Sequence, residues 1–273
     1  MRTTAQRRER LNVAAGAACG RSSSTDTYPL FSYVPRVTTR KRAPKPRKTP
    51  RKSWNWKRVL RWALWTVLTF YGLLAVAILF LRWVDPPTTA VQIERRIDAS
   101  IHGKTYHKRY SFVPLGEISP HLQHAIVAAE DARFFQHHGF DWKEIGNAVE
   151  QDLGDGPKRG ASTITQQLVR NLFLSTGRSV VRKAIEFSIV PLAEGILPKR
   201  RILELYLNVI ECGAGIYGAE AASRYYFHLP ASGIGREQAV ALAEVLPAPL
   251  HRKPGHLAQY GARIQERMHQ MGF

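Results

Sequence analysis

The run from Trp62 to Leu81, WALWTVLTFYGLLAVAILFL, contains no charged residue. At a rise of about 1.5 Å per residue, a helix of this length spans roughly 30 Å, which is the thickness of a bilayer's hydrocarbon core. A cleaved secretory signal is the alternative. Its apolar core would be shorter and closer to the start of the chain, and RWVDPP follows here instead of a small-residue cleavage site. The run therefore predicts an uncleaved transmembrane helix.

The positive charge of the chain is concentrated before this helix. Residues 1–61 contain 17 Lys and Arg against 2 Asp and Glu, a net of +15 out of the total of +19. Positive residues collect on the cytoplasmic side of membrane helices, so we expect a cytoplasmic N-terminus and an external C-terminal domain. Beside an anionic leaflet each Lys or Arg gains about 1 kcal/mol, which favours lipid contact over nucleic-acid binding for this basic segment.

Three segments follow from these patterns. Residues 1–56 are expected to be a disordered basic cytoplasmic tail, because RVTTRKRAPKPRKTPRK mixes prolines with charges that repel one another. Residues 57–84 form the transmembrane helix and its flanks, and residues 85–273 form the outer domain. Cys212 is the one cysteine of that outer domain, which excludes a disulfide bond within it.

The outer domain is predicted to be mainly α-helical. Ser119 at the N-cap and Pro120 in the first turn open one helix, and Asp141 with Glu144 resembles a capping box that opens the next. Helical periodicity returns in SVVRKAIEFSIV, KRRILELYLNVI, REQAVALAEVL and AQYGARIQERMHQM.

Two proline positions and one pair of strands are also predicted to shape the outer domain. Pro191 and Pro198 are expected to kink or break the chain between the first two of those helices. A short pair of strands near Ile93 to Phe112 is the only candidate for β structure.

The stretch GASTITQQLVRN, from Gly160 to Asn171, places hydroxyls, amides and an arginine on one turn and helix. Ser162 or Thr163 is expected to cap that helix, which runs through Leu174. A helix that only packs would alternate polar with apolar residues, so this composition indicates a surface that binds a polar ligand. The helix N-terminus adds a preference for anions.

Two carboxylates stand out near this stretch, Glu130 and Glu186. Taken singly, Glu130 is a charge at a helix end, and Glu186 is an ion-pair partner of Arg182 and Lys183, four and three residues earlier. His137 next to His138 lacks the i, i+4 spacing of helical zinc ligands, so no metal site is predicted from the spacing.

Five motifs occur in order along the outer domain: EDARFFQHHG, GASTITQQLVRN, RKAIE, KRRILELYLN and GAGIYGAEAASRYYF. Together they resemble the motifs of the family 51 peptidoglycan glycosyltransferases, over roughly residues 90–255. The resemblance implies a lysozyme-like, all-α glycosyltransferase domain with a membrane-dipping hydrophobic subregion. The SxxK motif of an appended transpeptidase has no match in this chain. The implied location is the bacterial inner membrane, with one span, a cytoplasmic N-terminus and a periplasmic catalytic domain.

The resemblance also implies a reaction. The 4-hydroxyl of lipid II attacks the anomeric carbon of a glycan chain carried on undecaprenyl diphosphate, which gives a β-1,4 link with inversion. Glu130 matches the general base, and Glu186 either orients the neighbouring cations or holds a divalent ion, Mg²⁺ or Mn²⁺, that bridges the diphosphate. The expected substrate-binding residues are Asp131, Ser162, Thr163, Gln166, Gln167, Arg170, Asn171, Arg178, Arg182 and Lys183.

Partners and alternatives follow from the same residues. Lipid II, the growing glycan chain and membrane lipids are the expected partners, with other proteins of cell wall synthesis or division as further candidates. A membrane-anchored, lysozyme-like wall hydrolase is the rival enzyme, because a hydrolytic pair of carboxylates looks similar in one dimension. A nonenzymatic scaffold is the third alternative. The cations around Glu186 favour the polymerase, since a hydrolase of a neutral glycosidic bond needs no site for a diphosphate.

Overall fold

The computed structural model of the chain describes residues 55–152, 162–177 and 179–273. The basic tail predicted for residues 1–56 therefore lies almost entirely outside the described residues. Asn55–Phe273 forms one compact unit, and the bounds proposed above for the three segments remain predictions.

The predicted membrane helix is α1, Trp56–Phe80, and it is long and apolar enough to cross a membrane. Every residue up to Phe70 is exposed. From Tyr71 onward one face of α1 packs on the domain, where Leu74 and Ile78 are buried. The apolar run therefore has two parts. Its N-terminal part is fully exposed, and its C-terminal part contacts the domain on one side.

The domain that follows is mostly helical, as predicted. A three-stranded sheet in the order β1-β3-β2, with β1 parallel and β2 antiparallel to β3, is its described β structure. In chain order the elements are α2 (Ala90–Ile101), β1 (Arg109–Tyr110), α3 (Pro120–Glu130), α4 (Trp142–Asp152), α5 (Ile164–Phe173), α6 (Val180–Ile196), α7 (Lys199–Val209), β2 (Glu211–Gly213), β3 (Ile216–Tyr217), α8 (Ala219–Phe227), α9 (Arg236–Val245) and α10 (Ala258–Gln270).

Helix α5 occupies the centre of the domain. It packs against α7, α6 and α2, while α3 packs against α9 and α10. All but three of its ten residues are buried, including polar ones. The N-terminal turn of α5 meets the C-terminal end of α3. The fold therefore brings Gln166 and Gln167 of α5 close to Glu130 and Asp131 at the end of α3.

The predicted helix starts are largely confirmed. Asp141 accepts a hydrogen bond from the Glu144 amide at 2.8 Å as α4 begins. Thr163, and not Ser162, is the N-cap of α5. Ser119 holds the N-cap position of α3, but its hydroxyl donates to the Ile234 carbonyl and makes no cap bond.

Two expectations about regular structure are wrong. Residues 90–101, where one strand of the pair was expected to start, form α2, and of that pair only β1 exists, joined to the distant β3. Pro198 lies at the break between α6 and α7, as expected, but Pro191 does not break the chain, because it lies inside the continuous helix α6. Its neighbours Ile189 and Val190 are fully buried, and their packing offsets a cost of about 3 kcal/mol for a proline in a helix interior.

Candidate active site

Glu130 is the last residue of α3, and its Oε2 accepts a hydrogen bond of 2.6 Å from Nε2 of Gln167 on α5. The same Gln167 nitrogen lies 3.5 Å from the carbonyl oxygen of Ser162. Glu130 and Gln167, which come from separate motifs, thus make direct contact, and Ser162 lies beside Gln167.

The orientation of the Gln167 amide is fixed from its other side. The buried Tyr206 hydroxyl on α7 donates to Gln167 Oε1 at 3.1 Å, which leaves the NH₂ group directed at Glu130. The Asn171 amide donates to the Gln167 carbonyl at 2.8 Å. Sequence reasoning did not single out Tyr206, because a tyrosine at helical spacing within YLN has the pattern of a core residue.

Asp131 is buried and holds the start of α5 in place. Its Oδ2 accepts the Ile164 amide at 3.1 Å, and His137 Nε2 lies 2.9 Å from Oδ1. Gly139 supports the same turn, because its carbonyl accepts a 2.7 Å hydrogen bond from Thr163 Oγ1. Gly139 has a φ of +88°, and a Cβ there would collide with Val190, so this position requires glycine.

Thr163 and Gln166 form a capping box. Gln166 Oε1 accepts the Thr163 amide at 3.2 Å, and Thr163 Oγ1 accepts the Gln166 amide at 3.3 Å. Both side chains are buried and engaged in the helix start. In this structure they shape the surface on which Ser162 and Gln167 lie, and their contacts are with the protein itself.

The cations expected at α6 gather around Glu186, which is 1% exposed. Arg182 Nη1 donates to Oε2 at 2.7 Å and Lys183 Nζ donates to Oε1 at 2.5 Å. Lys183 also lies 3.4 Å from Ser162 Oγ, which connects this cluster to the N-terminus of α5. The contacts run from Glu130 through Gln167, Ser162 and Lys183 to Glu186.

The remaining predicted cations are Arg170 and Arg178. Arg170, partly buried in the last turn of α5, is close enough to favour the charged form of Glu130 electrostatically. Arg178 lies outside the described residues. Arg252 acts on Glu130 in the same direction, and no pattern in LPAPLHRKPG could have placed it there.

Burial raises the pKa of Glu130 above its ordinary value of 4.5. The Gln167 hydrogen bond and the positive charge of Arg170 act against this rise, while the neighbouring Asp131 adds to it. A carboxylate whose proton affinity is raised by burial is suited to accept a proton.

One group of residues in the described part of the chain could hold a metal by proximity, Asp131, His137 and Asp141, with ligand atoms within 4.8 Å of one another. The carboxylates and His137 Nε2 already have protein partners, whereas His137 Nδ1 is buried without a hydrogen-bond partner. Asp131 bonds to His137 and to the start of α5, and Asp141 pairs with Arg133.

Comparison with known proteins identifies the family of this chain. The family model described as Transglycosylase matches residues 98–272, which contain α3 to α10 and every described site residue. The chain therefore belongs to the transglycosylase family, and its helical domain has that family's lysozyme-like fold.

Particular relatives carry a more specific name. A protein of Pseudomonas fluorescens (strain SBW25) called "Biosynthetic peptidoglycan transglycosylase" is 42% identical over 211 residues, which is 76% of this chain and 88% of the relative. Proteins of the same name are 45% identical in Laribacter hongkongensis (strain HLHK9), over 70% of this chain and 86% of the relative, and 40% identical in Pseudomonas aeruginosa PAO1, over 79% and 93%.

Proposed function

We propose that this chain is a peptidoglycan glycosyltransferase that polymerises lipid II into glycan strands for cell wall synthesis. The contact between Glu130 and Gln167, connected through Ser162 to the cations around Glu186, carries the proposal. It joins one carboxylate to one cluster of cationic side chains by a continuous series of contacts. The family and the names of the relatives support the same activity. No transpeptidase activity is included, since the family match covers the transglycosylase domain alone.

In the proposed reaction Glu130 takes the proton of the acceptor's 4-hydroxyl as that oxygen bonds to the anomeric carbon of the donor chain. The bond from this carbon to the diphosphate oxygen breaks, and attack from the opposite face gives a β-1,4 link with inversion. A positioned general base contributes typically about 10²–10⁴ in rate. The elevated pKa of Glu130 makes it a stronger base than an exposed carboxylate.

The leaving diphosphate gains negative charge as the bond breaks, and we assign its stabilisation to Arg182 and Lys183, with Arg170 and Arg178 as further cations. Glu186 is a positioning residue in this proposal. Because both of its oxygens accept from cationic side chains, it holds those cations in place.

The divalent cation remains a prediction. Glu186 fits poorly as its ligand, since an ion there would face the positive charges of Arg182 and Lys183. Mg²⁺ or Mn²⁺ brought with the diphosphate of the substrate would supply further positive charge to the leaving group. The same pairing of Glu186 argues against the wall hydrolase, which needs a second free carboxylate near Glu130.

We further propose a single-pass anchor with a cytoplasmic N-terminus and a periplasmic domain in the bacterial inner membrane. Helix α1 has the length and the apolar surface for the span, and the basic residues before it support the orientation. Membrane lipids are then direct partners, and other wall synthesis or division proteins remain candidates.

The test uses the full chain in lipid vesicles with labelled lipid II. We expect long glycan strands on a gel, undecaprenyl diphosphate released in step with each bond, inhibition by moenomycin, and almost no product from a Glu130→Gln variant. Soluble fragments released from preformed glycan, with no polymer from lipid II, would instead support the hydrolase.

A further inference from the structure

The loop that joins α9 to α10 surrounds a cavity of about 250 Å³, which we call the loop cavity. Its lining consists of four side chains with nitrogen donors and one apolar side chain, namely His251, Arg252, Lys253, His256 and Leu257. The chain carries no aspartate or glutamate between Glu244 and Glu266, so this loop brings no negative charge to the cavity. Such a lining favours an anionic ligand, because charge-assisted hydrogen bonds from Arg and Lys are stronger than neutral ones.

Protein contacts hold Arg252 in place at the loop cavity. Its Nη1 donates a 3.1 Å hydrogen bond to the backbone carbonyl of Glu244, and its guanidinium lies 5.6 Å from the ring centroid of Tyr260. Because this guanidinium is already ordered, binding an anion costs less conformational entropy than it would at a free arginine. Lys253 and His256 are exposed, so a ligand can reach them from solvent.

The loop cavity lies close to the proposed active site. Arg267 on α10 donates to the carbonyls of Ala128 and Ala129 at 3.2 and 3.4 Å, so α10 is held against the end of α3 that carries Glu130. From the adjoining loop, the positive charge of Arg252 favours the ionised form of Glu130. Charges in salt solution are largely screened beyond about 10 Å, so the cavity is near enough to Glu130 to receive part of the same substrate.

Different elements provide the cations that we assign to the diphosphate. Arg182 and Lys183 lie on α6, and the contacts from Lys183 to Glu130 pass through Ser162 and Gln167. Helix α5 packs against α6, whereas α3 packs against α9 and α10. The diphosphate therefore accounts for the cations of α6 and leaves the loop cavity without an assigned ligand.

Peptidoglycan is a glycan with peptides attached to its sugars, so its precursor carries peptide carboxylates in addition to the diphosphate. Given the polymerase function proposed above, on which this site rests, we propose that the loop cavity binds a carboxylate of that peptide and positions the attached sugar beside Glu130. A volume of about 250 Å³ is below the roughly 300–1,000 Å³ of sites for drug-sized ligands, so it fits one small charged group and not a disaccharide. The fork of N–H donors on Arg252 matches the two oxygens of a carboxylate.

The test compares lipid II that has free peptide carboxylates with lipid II in which these carboxylates are converted to amides. The full chain polymerises both in vesicles of zwitterionic phosphatidylcholine, where no anionic headgroup competes for the loop cavity. A Lys253→Ala/His256→Ala double variant removes the two exposed donors, and Lys253→Arg keeps the charge. Lys104→Ala, at an exposed lysine that follows α2, is the matched control. Unchanged melting temperatures verify that each variant folds.

For the parent we expect amidation to raise KM by about tenfold with little change in kcat, because the carboxylate is bound equally in the ground state and the transition state. The double variant should show this higher KM with both substrates. Lys104→Ala should keep the parental preference for the free carboxylates, and Lys253→Arg should keep most of it.

Equal KM values of the parent for the two substrates, with polymer formed from both, would overturn the assignment of the loop cavity and leave the polymerase function intact. A preference that survives in the double variant would also overturn it, because another site would then recognise the carboxylate. An effect of the double substitution that appears only in vesicles with anionic phosphatidylglycerol would assign the loop cavity to a lipid headgroup instead. Absence of polymer from either substrate would reject the polymerase function and this site with it.

Discussion

Opposing effects act on the pKa of Glu130. Burial raises it, whereas the Gln167 hydrogen bond and the charge of Arg170 lower it. The raised pKa disfavours the charged form in the folded state. This residue therefore contributes stability below its unfolded pKa, and that contribution is lost as the pH rises through the folded pKa. The ionised carboxylate of Glu130 thus lowers the stability of the fold at the position where the proposed reaction needs a proton acceptor.

A Glu130→Gln variant tests both consequences. We expect polymerisation to fall by at least about 10², because the amide cannot accept the proton. We also expect the variant to gain thermal stability relative to the parent at neutral pH and to lose this advantage toward pH 4, below the raised pKa. Melting curves across that range measure the effect. A folded variant with parental polymerisation would remove Glu130 as the base.

The Tyr206 hydroxyl is expected to act on the reaction through Gln167. In Tyr206→Phe the Gln167 amide loses the donor that holds its NH₂ toward Glu130, so the pKa of Glu130 should rise further. The acid limb of the pH–activity profile should then move to higher pH.

Tyr217→Phe is the matched control for this change, since Tyr217 is equally buried and donates to Glu211 instead. We expect it to lower stability while leaving the acid limb in place. Identical shifts in both variants would show that general loosening of the core, and not the Gln167 amide, controls the profile.

Lys183 contacts both Ser162 and Glu186, so its removal should weaken the proposed diphosphate site. For Lys183→Ala we expect kcat to fall by about 10² with little change in KM, because the cation acts on charge that develops in the transition state. Lys183→Arg should recover part of the loss. Lys108→Ala, at a lysine bound to the Pro87 carbonyl, is the control with normal kcat. Poorer KM with normal kcat would contradict the role.

The sequence motifs identified the residues that make the contacts, but not the contacts themselves. The pairing of Glu130 with Gln167 depends on how α3 meets α5, which no local pattern encodes. Thr163 and Gln166 belonged to the expected polar surface, yet their side chains cap α5 from inside. Local spacing cannot separate a polar side chain that faces a ligand from one that completes a helix end, because both sit at the same turn.

At the scale of elements, the start of α5 controls the position of Gln167. Thr163→Val removes both the cap bond to Gln166 and the bond to Gly139, and should destabilise the domain by about 1–2 kcal/mol. Thr163→Ser keeps the hydroxyl and should remain near the parent. Urea denaturation measures the difference. Equal stability of the valine and serine variants would show that the cap contributes nothing.

Helix starts were predictable wherever a capping residue and an apolar period coincided, as at α4 and α5. Helix α2 was missed because its isoleucines lie on the exposed face, so its apolar residues do not follow one helical face. The strands β2 and β3 are too short to show any alternation, and the sheet forms only when distant segments meet. The continuity of α6 through Pro191 depends on packing that one sequence does not display.

For the whole molecule, the proposed orientation gives a direct test. A reporter that is active only outside the cytoplasmic membrane should give a signal when fused after Phe273, and none when fused before Trp54. The basis is the net charge of +15 before the span out of a total of +19. The opposite pattern of signals would reverse the topology, with the catalytic domain inside.

Under the membrane anchoring proposed above, the contact of α6 with α1 has a consequence for how the enzyme meets its substrate. A domain held against its own span, through Tyr71 and Ser188, cannot drift away from the bilayer on a long tether. Enzyme and lipid-linked substrate then search for each other by lateral diffusion in two dimensions. The quantity that sets their encounter rate is the number of lipid II molecules per unit of membrane area, and the volume of the surrounding compartment does not enter.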